Sequence, residues 1–211
     1  MSRGIEAFGV HAIAPLCVEY RATHPEVDID LVLSDPALDL VDEGFDVAVR
    51  IGELPDSSLI ARPLRPYRSV ICAAPAYLER HGMPLRPEDL ARHQCLGFAH
   101  PVAGRRWRLT GPQGEVVVPV SLALSANNGE ALRMAALSGL GIVMQPDVLL
   151  GEDLRAGRLV AVLPDYAPAE RPMHLLTAGD RRPPAKISTF VGFIVKRFGA
   201  RAGSRKRPTP A

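Results

Sequence analysis

An α/β fold of two lobes is the expectation from this sequence, and three features carry it. Helical and strand spacings alternate from His11 to Ile51, joined by short turns. At Pro75 the texture changes to short helices and strands, and a long helical stripe returns only after Pro183-Pro184. Alternating elements with short turns imply a parallel sheet with right-handed crossovers. A first lobe resumed after a long interruption implies two connections between lobes.

Ile13, Leu16, Cys17 and Tyr20 fall at i, i+3, i+4 and i+7, which predicts a helix from about His11 to Thr23. Pro15 belongs in its first turn, because a later proline breaks the hydrogen-bond ladder. Val27, Ile29, Leu31 and Leu33 alternate with Asp28, Asp30 and Val32, the pattern of a strand. Ser34-Asp35-Pro36 opens the next helix with proline at its first position, and Gly44 ends it. Phe45–Ile51 is a second strand, apolar on both faces apart from Asp46 and Arg50. After a turn-rich loop, Leu59–Leu64 and Ser69–Ala74 are short extended segments.

The middle of the chain has short helices around Tyr77-Leu78 and Glu88-Asp89-Leu90. Strands follow near Leu96-Gly97-Phe98, Trp107-Arg108-Leu109 and Val116-Val117-Val118. Val120–Ser125 leads into SANNGEALRMAALSGLGIVMQP. There Asn127 or Asn128 offers an N-cap, Asn127 and Glu130 have capping-box spacing, and Leu132, Ala135, Ala136 and Leu140 form a helical stripe. Gly139 suits a left-handed stop before a buried strand at Ile142-Val143-Met144. A helix over Asp147–Leu154, strands at Leu159–Leu163 and Arg171–Thr177, and a final helix with Ile187, Phe190, Val191, Ile194 and Phe198 at helical spacing complete the chain. The expected division is residues 1–70 and 173–199 in lobe I, residues 71–172 in lobe II, two crossing hinge strands near Ser69–Ala74 and Arg171–Thr177, and an unfolded basic tail over residues 200–211.

Composition narrows the function classes. With 47% hydrophobic and 23% charged residues the chain has the balance of a globular protein. No apolar run approaches the ~20 residues of a spanning helix, and the first residues lack a secretory signal, so the expected place is the cytoplasm. A formal charge of +2 is too slight for a DNA-gripping surface. Cys17, Cys72 and Cys95 show no C-x-x-C spacing, the histidines no ligand spacing, and no serine sits in a G-x-S-x-G elbow. Neither metal, cofactor nor catalytic set is expected. Trp107, between Arg106 and Arg108, is expected in a strand core rather than stacked on a base.

Ligands of α/β sheets lie beyond the carboxyl ends of strands. Ser34, Asp35, Arg50 and Gly52 fall at such ends. Arg50 can grasp a carboxylate bidentately or pair with Asp35, Asp46 or Glu53. Ser34 and Asp35 can bind an anion, cap the helix at Pro36, or do both. Asn127, Asn128 and Gly129 precede a helix whose free N–H groups favour an anion, although an ordinary capped helix has the same residues.

The order and spacing of FGVHAIAPL, HPEVDIDLVLSD, DLVDEGFDVAVRIGELPDSSLIARPL, CAAPAYLERHG, ANNGEALRMAALSGLGIVMQPD, DLRAGRLVAVLPDY and RPMHLLTAGDRRPPAKISTFVGFIVKRF resemble the effector-binding domain of LysR-type transcriptional regulators, from about Phe8 to Gly199. The resemblance implies a two-lobed fold similar to type 2 periplasmic solute-binding proteins. It also implies a small metabolite effector, often a carboxylate, in a cleft between lobes, a homo-oligomer, no membrane contact, and promoter DNA reached only through an amino-terminal winged helix-turn-helix. On residue chemistry the effector is expected to be anionic and its contacts to be Ser34, Asp35, Arg50, Gly52, Asn127, Asn128 and Gly129. Relatives have a strand just before the Phe8-Gly9 pair, whereas Met1–Ala7 is a poor strand, so lobe I is expected to lack its first strand and the chain to be truncated ahead of the DNA reader. The alternative is a stand-alone solute-binding protein for a small anionic ligand.

Overall fold

The computed structural model describes residues 5–33, 43–54, 58–99, 105–179 and 183–199. The chain forms two compact units. The first comprises Met1–Glu19, Ile29–Ala37 and Arg68–Glu170, the second Tyr20–Asp28, Leu38–Tyr67 and Arg171–Ala211. No helix among the described residues is long and apolar enough to cross a membrane.

The chain opens with α1 (Ile5–Phe8), a π turn over Gly9–Ile13, and α2 (Ala14–Thr23). The helical run therefore starts earlier than expected, at Ile5, while Pro15 stands in the first turn of α2. A proline lacks the N–H that an α-turn needs and crowds the preceding carbonyls. Widening the turn just ahead of it, with the Ala14 N–H donating to Gly9 O, lets the helix continue.

Unit one is built on a five-stranded sheet. Its strands are β3 (Ser69–Ala73), β4 (Cys95–Phe98), β7 (Leu122–Ala126), β8 (Ile142–Pro146) and β9 (Val160–Ala161), in the order β7-β4-β8-β3-β9. β4 runs parallel to β7 and β8, while β3 is antiparallel to β8 and β9. Successive residues of a strand point to opposite faces, and both faces here are covered. Ile71 and Ile142 join a core with Leu90, Trp107 and Leu109, the last two from β5 (Arg106–Gly111). Cys72 and Val143 join another with Leu132 and Ala136 of α4 (Gly129–Leu137) and Leu149 and Leu150 of α5 (Asp147–Arg155). β5 pairs with β6 (Gly114–Pro119) and β10 (Ala167–Pro168) in a small antiparallel sheet. Of the helical stripe read from the sequence, Leu132 and Ala136 are buried, whereas Leu140 remains 43% exposed.

A buried polar knot closes the amino side of β4. In α3 (Pro75–His81), the Tyr77 hydroxyl accepts the Gln94 N–H at 2.9 Å and lies 3.2 Å from Nδ1 of His93. Having accepted the Gln94 N–H, the hydroxyl keeps its own hydrogen to give to Nδ1 of a neutral imidazole protonated on Nε2. Burial holds His93 below the ordinary histidine value of 6.5, helped by the charges of His81 and Arg92 and opposed by Asp89. A depressed histidine is protonated more readily in the unfolded chain, so its contribution is complete above pH 6.5 and falls away as pH drops toward the folded value. The urea midpoint should therefore be lower at pH 5.5 than at pH 7.5, and His93→Asn should flatten that difference. An equal drop in the variant would assign it to other groups.

Unit two holds β1 (Val47–Ile51), β2 (Ile60–Tyr67) and β11 (Arg171–Thr177) in the order β1-β11-β2, with both ladders antiparallel. The parallel sheet expected for this part of the chain is thus corrected. β11 arrives from the far end of the sequence and lies between β1 and β2, so the neighbour of β1 is this distant strand and not the strand that the local alternation placed at Val27–Leu33. α6 (Ala185–Phe198) buries Val191, Ile194 and Phe198. The fully buried Tyr20 lies 2.7 Å from Thr189 Oγ1, stacks on His24 and meets Phe190 edge-on.

The strand expected at Val27–Leu33 does not form. Alternation marks a face, but a strand also needs a partner edge, and Leu31 and Val32 remain exposed. Among the described residues β1 is the first strand. The helix expected from Ser34 lies outside the described residues over 34–42, as does the tail over 200–211.

Candidate functional site

Two strand ends, the start of α4 and the amino-terminal helical turns build a hollow in unit one. β4 ends at Phe98, which pairs with Ala126 at the end of β7, and the next residues, Asn127 and Asn128, lead into α4. Because β4 is parallel to both β7 and β8, the carboxyl ends of these strands share one edge of the sheet, the usual place for a ligand in an α/β fold. Asn128 is extended (φ −126°, ψ 132°), and its Oδ1 accepts the N–H groups of Glu130 at 2.9 Å and Ala131 at 3.2 Å. The cap is therefore Asn128 and not Asn127, because an N-cap oxygen reaches the second and third helical N–H groups and α4 begins at Gly129. Asn127, Asn128 and Gly129 line the hollow together with Ala7, Val10 and Phe98 as its apolar wall. It contains about 430 Å³ of empty space, including solvent at the mouth.

Glu6, His11 and Glu130 add titratable groups. His11 Nε2 lies 2.6 Å from Glu130 Oε1, and the other carboxylate oxygen of Glu130 accepts from Arg133 Nη1 at 3.2 Å. Arg133 then grips Asp153 with two bonds, Nε to Oδ2 at 2.5 Å and Nη2 to Oδ1 at 3.1 Å. Arg158 Nε adds a third at 2.7 Å. Asp153 is fully buried. Burial pushes its carboxyl up, but the hydrogen bonds and charges of Arg133 and Arg158 outweigh that and hold it below the ordinary carboxylate value. The line of charges fixes α4 to α5, and through Arg133 it also fixes Glu130 at the mouth of the hollow.

Gln145 stands behind this wall. It occupies β8, is 1% exposed, and neither its Nε2 nor its Oε1 has a hydrogen-bond partner. A Cβ placed on Gly129 would stand 3.2 Å from that Oε1 and 3.8 Å from Ala7 Cβ, so Gln145 meets the hollow's wall where the wall carries no side chain.

Of the residues singled out in the sequence, Asn127, Asn128 and Gly129 come together here, and Ser34 and Asp35 lie outside the described residues. Arg50 and Gly52 belong to unit two. Arg50 pairs across the ladder with His174, and the Gly52 N–H donates to Pro172 O at 2.8 Å. Glu6, His11, Phe98, Glu130 and Gln145 were not anticipated. Two of them left a signal, Glu130 in its helical spacing to Arg133 and Gln145 as a lone amide in the apolar strand Ile142–Pro146.

No group of three or more potential metal ligands occurs among the described residues. All three cysteines are buried, and burial pushes the Cys72 and Cys95 thiols up to about 12, in the case of Cys72 with help from the Asp153 charge. Such thiols are poor nucleophiles at neutral pH.

Residues 4–199 match the model of the LysR substrate binding domain. The HTH-type transcriptional regulator CrgA of Neisseria meningitidis serogroup B is 35% identical over 191 residues, which cover 90% of this chain and 64% of that protein. LtrA of Klebsiella pneumoniae, a probable HTH-type transcriptional regulator, is 35% identical over 193 residues, 90% of this chain and 62% of that protein. The solved regulatory domain of CrgA from Neisseria meningitidis has a TM-score of 0.80 at 34% identity, covering 91% of this chain and 94% of that one. The full-length virulence activator AphB of Vibrio cholerae, described as a member of the LTTR protein family, also scores 0.80, at 33% identity over 90% of this chain and 65% of that one. This chain thus spans just under two thirds of the curated relatives' length. These relatives are transcriptional regulators rather than enzymes or solute carriers, so the stand-alone solute-binding alternative is not favoured. With its α/β architecture and the two-lobed, periplasmic-binding-protein-like fold of these relatives, the chain belongs to the family of LysR substrate-binding domains.

Proposed function

We propose that the chain is the effector-sensing and oligomerising part of a cytoplasmic transcriptional regulator, without catalytic activity of its own. In this proposal promoter DNA is read by a helix-turn-helix outside these 211 residues, as in regulators of the HTH type to which its relatives belong. The effector is a small anionic metabolite seated in the hollow at the start of α4. The observation that carries this is the convergence of parallel strand ends on a helix N-terminus, whose partial positive charge favours an anion. Glu130, which would otherwise repel an anion there, is engaged by His11 and Arg133. Asn127, Asn128 and Gly129 are the proposed contacts in unit one. Arg50 and Gly52, with Ser34 and Asp35, are retained as proposed contacts on residue chemistry alone.

A thermal-shift screen of small carboxylic acids tests this, since a ligand that binds only the folded state raises the melting temperature. Hits should bind at least tenfold more weakly to Asn128→Ala. That variant also loses its helix cap, at a cost of about 1 kcal/mol, so Asn127→Ala serves as a second probe. Unchanged affinity in both variants would count against the placement.

A further inference from the structure

We infer that Gln145 is a specificity-determining residue of this hollow, and that the ligand therefore carries, besides its anionic group, a neutral group with a hydrogen-bond donor and acceptor side by side, as in a carboxamide or lactam. The inference rests on the hollow's being the effector site, and it names the chemistry that such a site selects.

A primary amide is a paired donor and acceptor, and burying it without partners costs roughly 1–3 kcal/mol. Gln145 is 1% exposed with both ends unpaired, although it lies in a strand whose neighbours Val143 and Pro146 are buried and make no such demand. Leucine would fill the same space without that cost, so the amide has no packing rationale. Its position is specific as well. Oε1 lies 3.2 Å from where a Gly129 side chain would begin, and Gly129 lines the hollow beside Ala7. The residue between the orphaned amide and the ligand space is thus the one that presents only backbone.

The chemistry of the partner follows from the two ends. A carboxylate satisfies Nε2 but sets a negative acceptor against Oε1. An amide or lactam edge satisfies both ends at once. The two requirements do not compete. Asn128 already caps the second and third N–H groups of α4, which leaves the anion the Gly129 N–H and the partial positive charge of the helix start. The neutral edge reaches past the backbone of Gly129, which has no side chain to block it, to Gln145. A ligand meeting both carries its carboxylate and its amide on one short skeleton.

Succinamate, succinate and succinamide share one four-carbon skeleton and test this on the 211-residue chain. In ¹H–¹⁵N spectra, succinamate should shift the side-chain NH2 pair of Gln145 together with the backbone amides of Gly129 and Glu130. It should bind about tenfold more tightly than succinate, the worth of one or two net hydrogen bonds. Gln145→Leu removes an unsatisfied group and should fold at least as stably as the parent, which makes it a clean control. In that variant the preference for succinamate over succinate should vanish. If succinamate shifts the Gly129 and Glu130 amides but leaves the Gln145 pair unmoved, Gln145 is served by an ordered water alone, and the inference is wrong while the hollow remains the site. If Gln145→Leu keeps the tenfold preference, the inference is wrong for the same reason. If none of the three compounds moves any of these resonances, both the inference and the placement of the site fail.

Discussion

Asp153→Ala should destabilise unit one by about 3–5 kcal/mol, the loss that follows when one partner of a buried ion pair is removed and its mates are left uncompensated. The carboxylate is fully buried and accepts three charge-assisted bonds, two from Arg133 and one from Arg158. Without it, the Arg133 guanidinium, whose side chain is only 22% exposed, keeps only Glu130. The more exposed Arg158 turns to water, so most of the cost falls on Arg133. Urea unfolding should show a lower midpoint at unchanged slope. Arg133→Met with Asp153→Leu should recover much of the loss, because the penalty comes from orphaned charge rather than lost attraction. If the double variant is as weak as the single one, packing around α5 is responsible instead. The depressed carboxyl fixes the sign of the acid dependence. Its stabilisation is present above the unfolded value of 3.8 and is lost as pH falls through the lower folded value.

Arg133 also links this core to the hollow, since its second partner is Glu130 at the mouth. Little of that link is legible in the sequence. Glu130 and Arg133 have helical spacing and are readable as a pair, but His11 reaches Glu130 from 119 residues away, and nothing local announces such a contact. The same limit separates the elements that were foreseen from those that were not. Asn128 and Gly139 punctuate α4 through backbone chemistry that acts within a few residues, a cap oxygen at one end and a left-handed φ of 75° at the other. The α6 stripe is likewise local. The antiparallel β1-β11-β2 sheet is not, because β11 pairs with strands more than a hundred residues earlier in the chain and its direction is set by that return. Val27–Leu33 shows the converse failure, a correct period with no edge to pair with. Gln145 was readable as an anomaly in an apolar strand, but its place behind Gly129 is something only the fold reveals.

Trp107→Ala should cost about 3–5 kcal/mol, the range for deleting a buried tryptophan, and should leave nucleic-acid binding unaffected. Arg106 and Arg108 flank this side chain in the sequence, a pattern that can place an aromatic ring against a base. Strand alternation separates them: Arg106 and Arg108 are exposed, while Trp107 points the other way and is 3% exposed. It pairs across the ladder with Val118 and packs in the core that contains Leu90, Leu109 and Ile142. The ring thus holds the small β10-β5-β6 sheet to the five-stranded one, and no surface of it is offered to a base. As the only tryptophan in the chain, it reports on its own environment. Native emission should be blue-shifted and move to the red in a single urea transition that coincides with the loss of far-ultraviolet ellipticity. Trp107→Phe should retain most of the stability, and Trp107→Ala should shift the midpoint by the full amount. Oligothymidylate should leave native emission unchanged, whereas quenching by it at low salt would mean that the ring is open to stacking and that the assignment to the core is wrong.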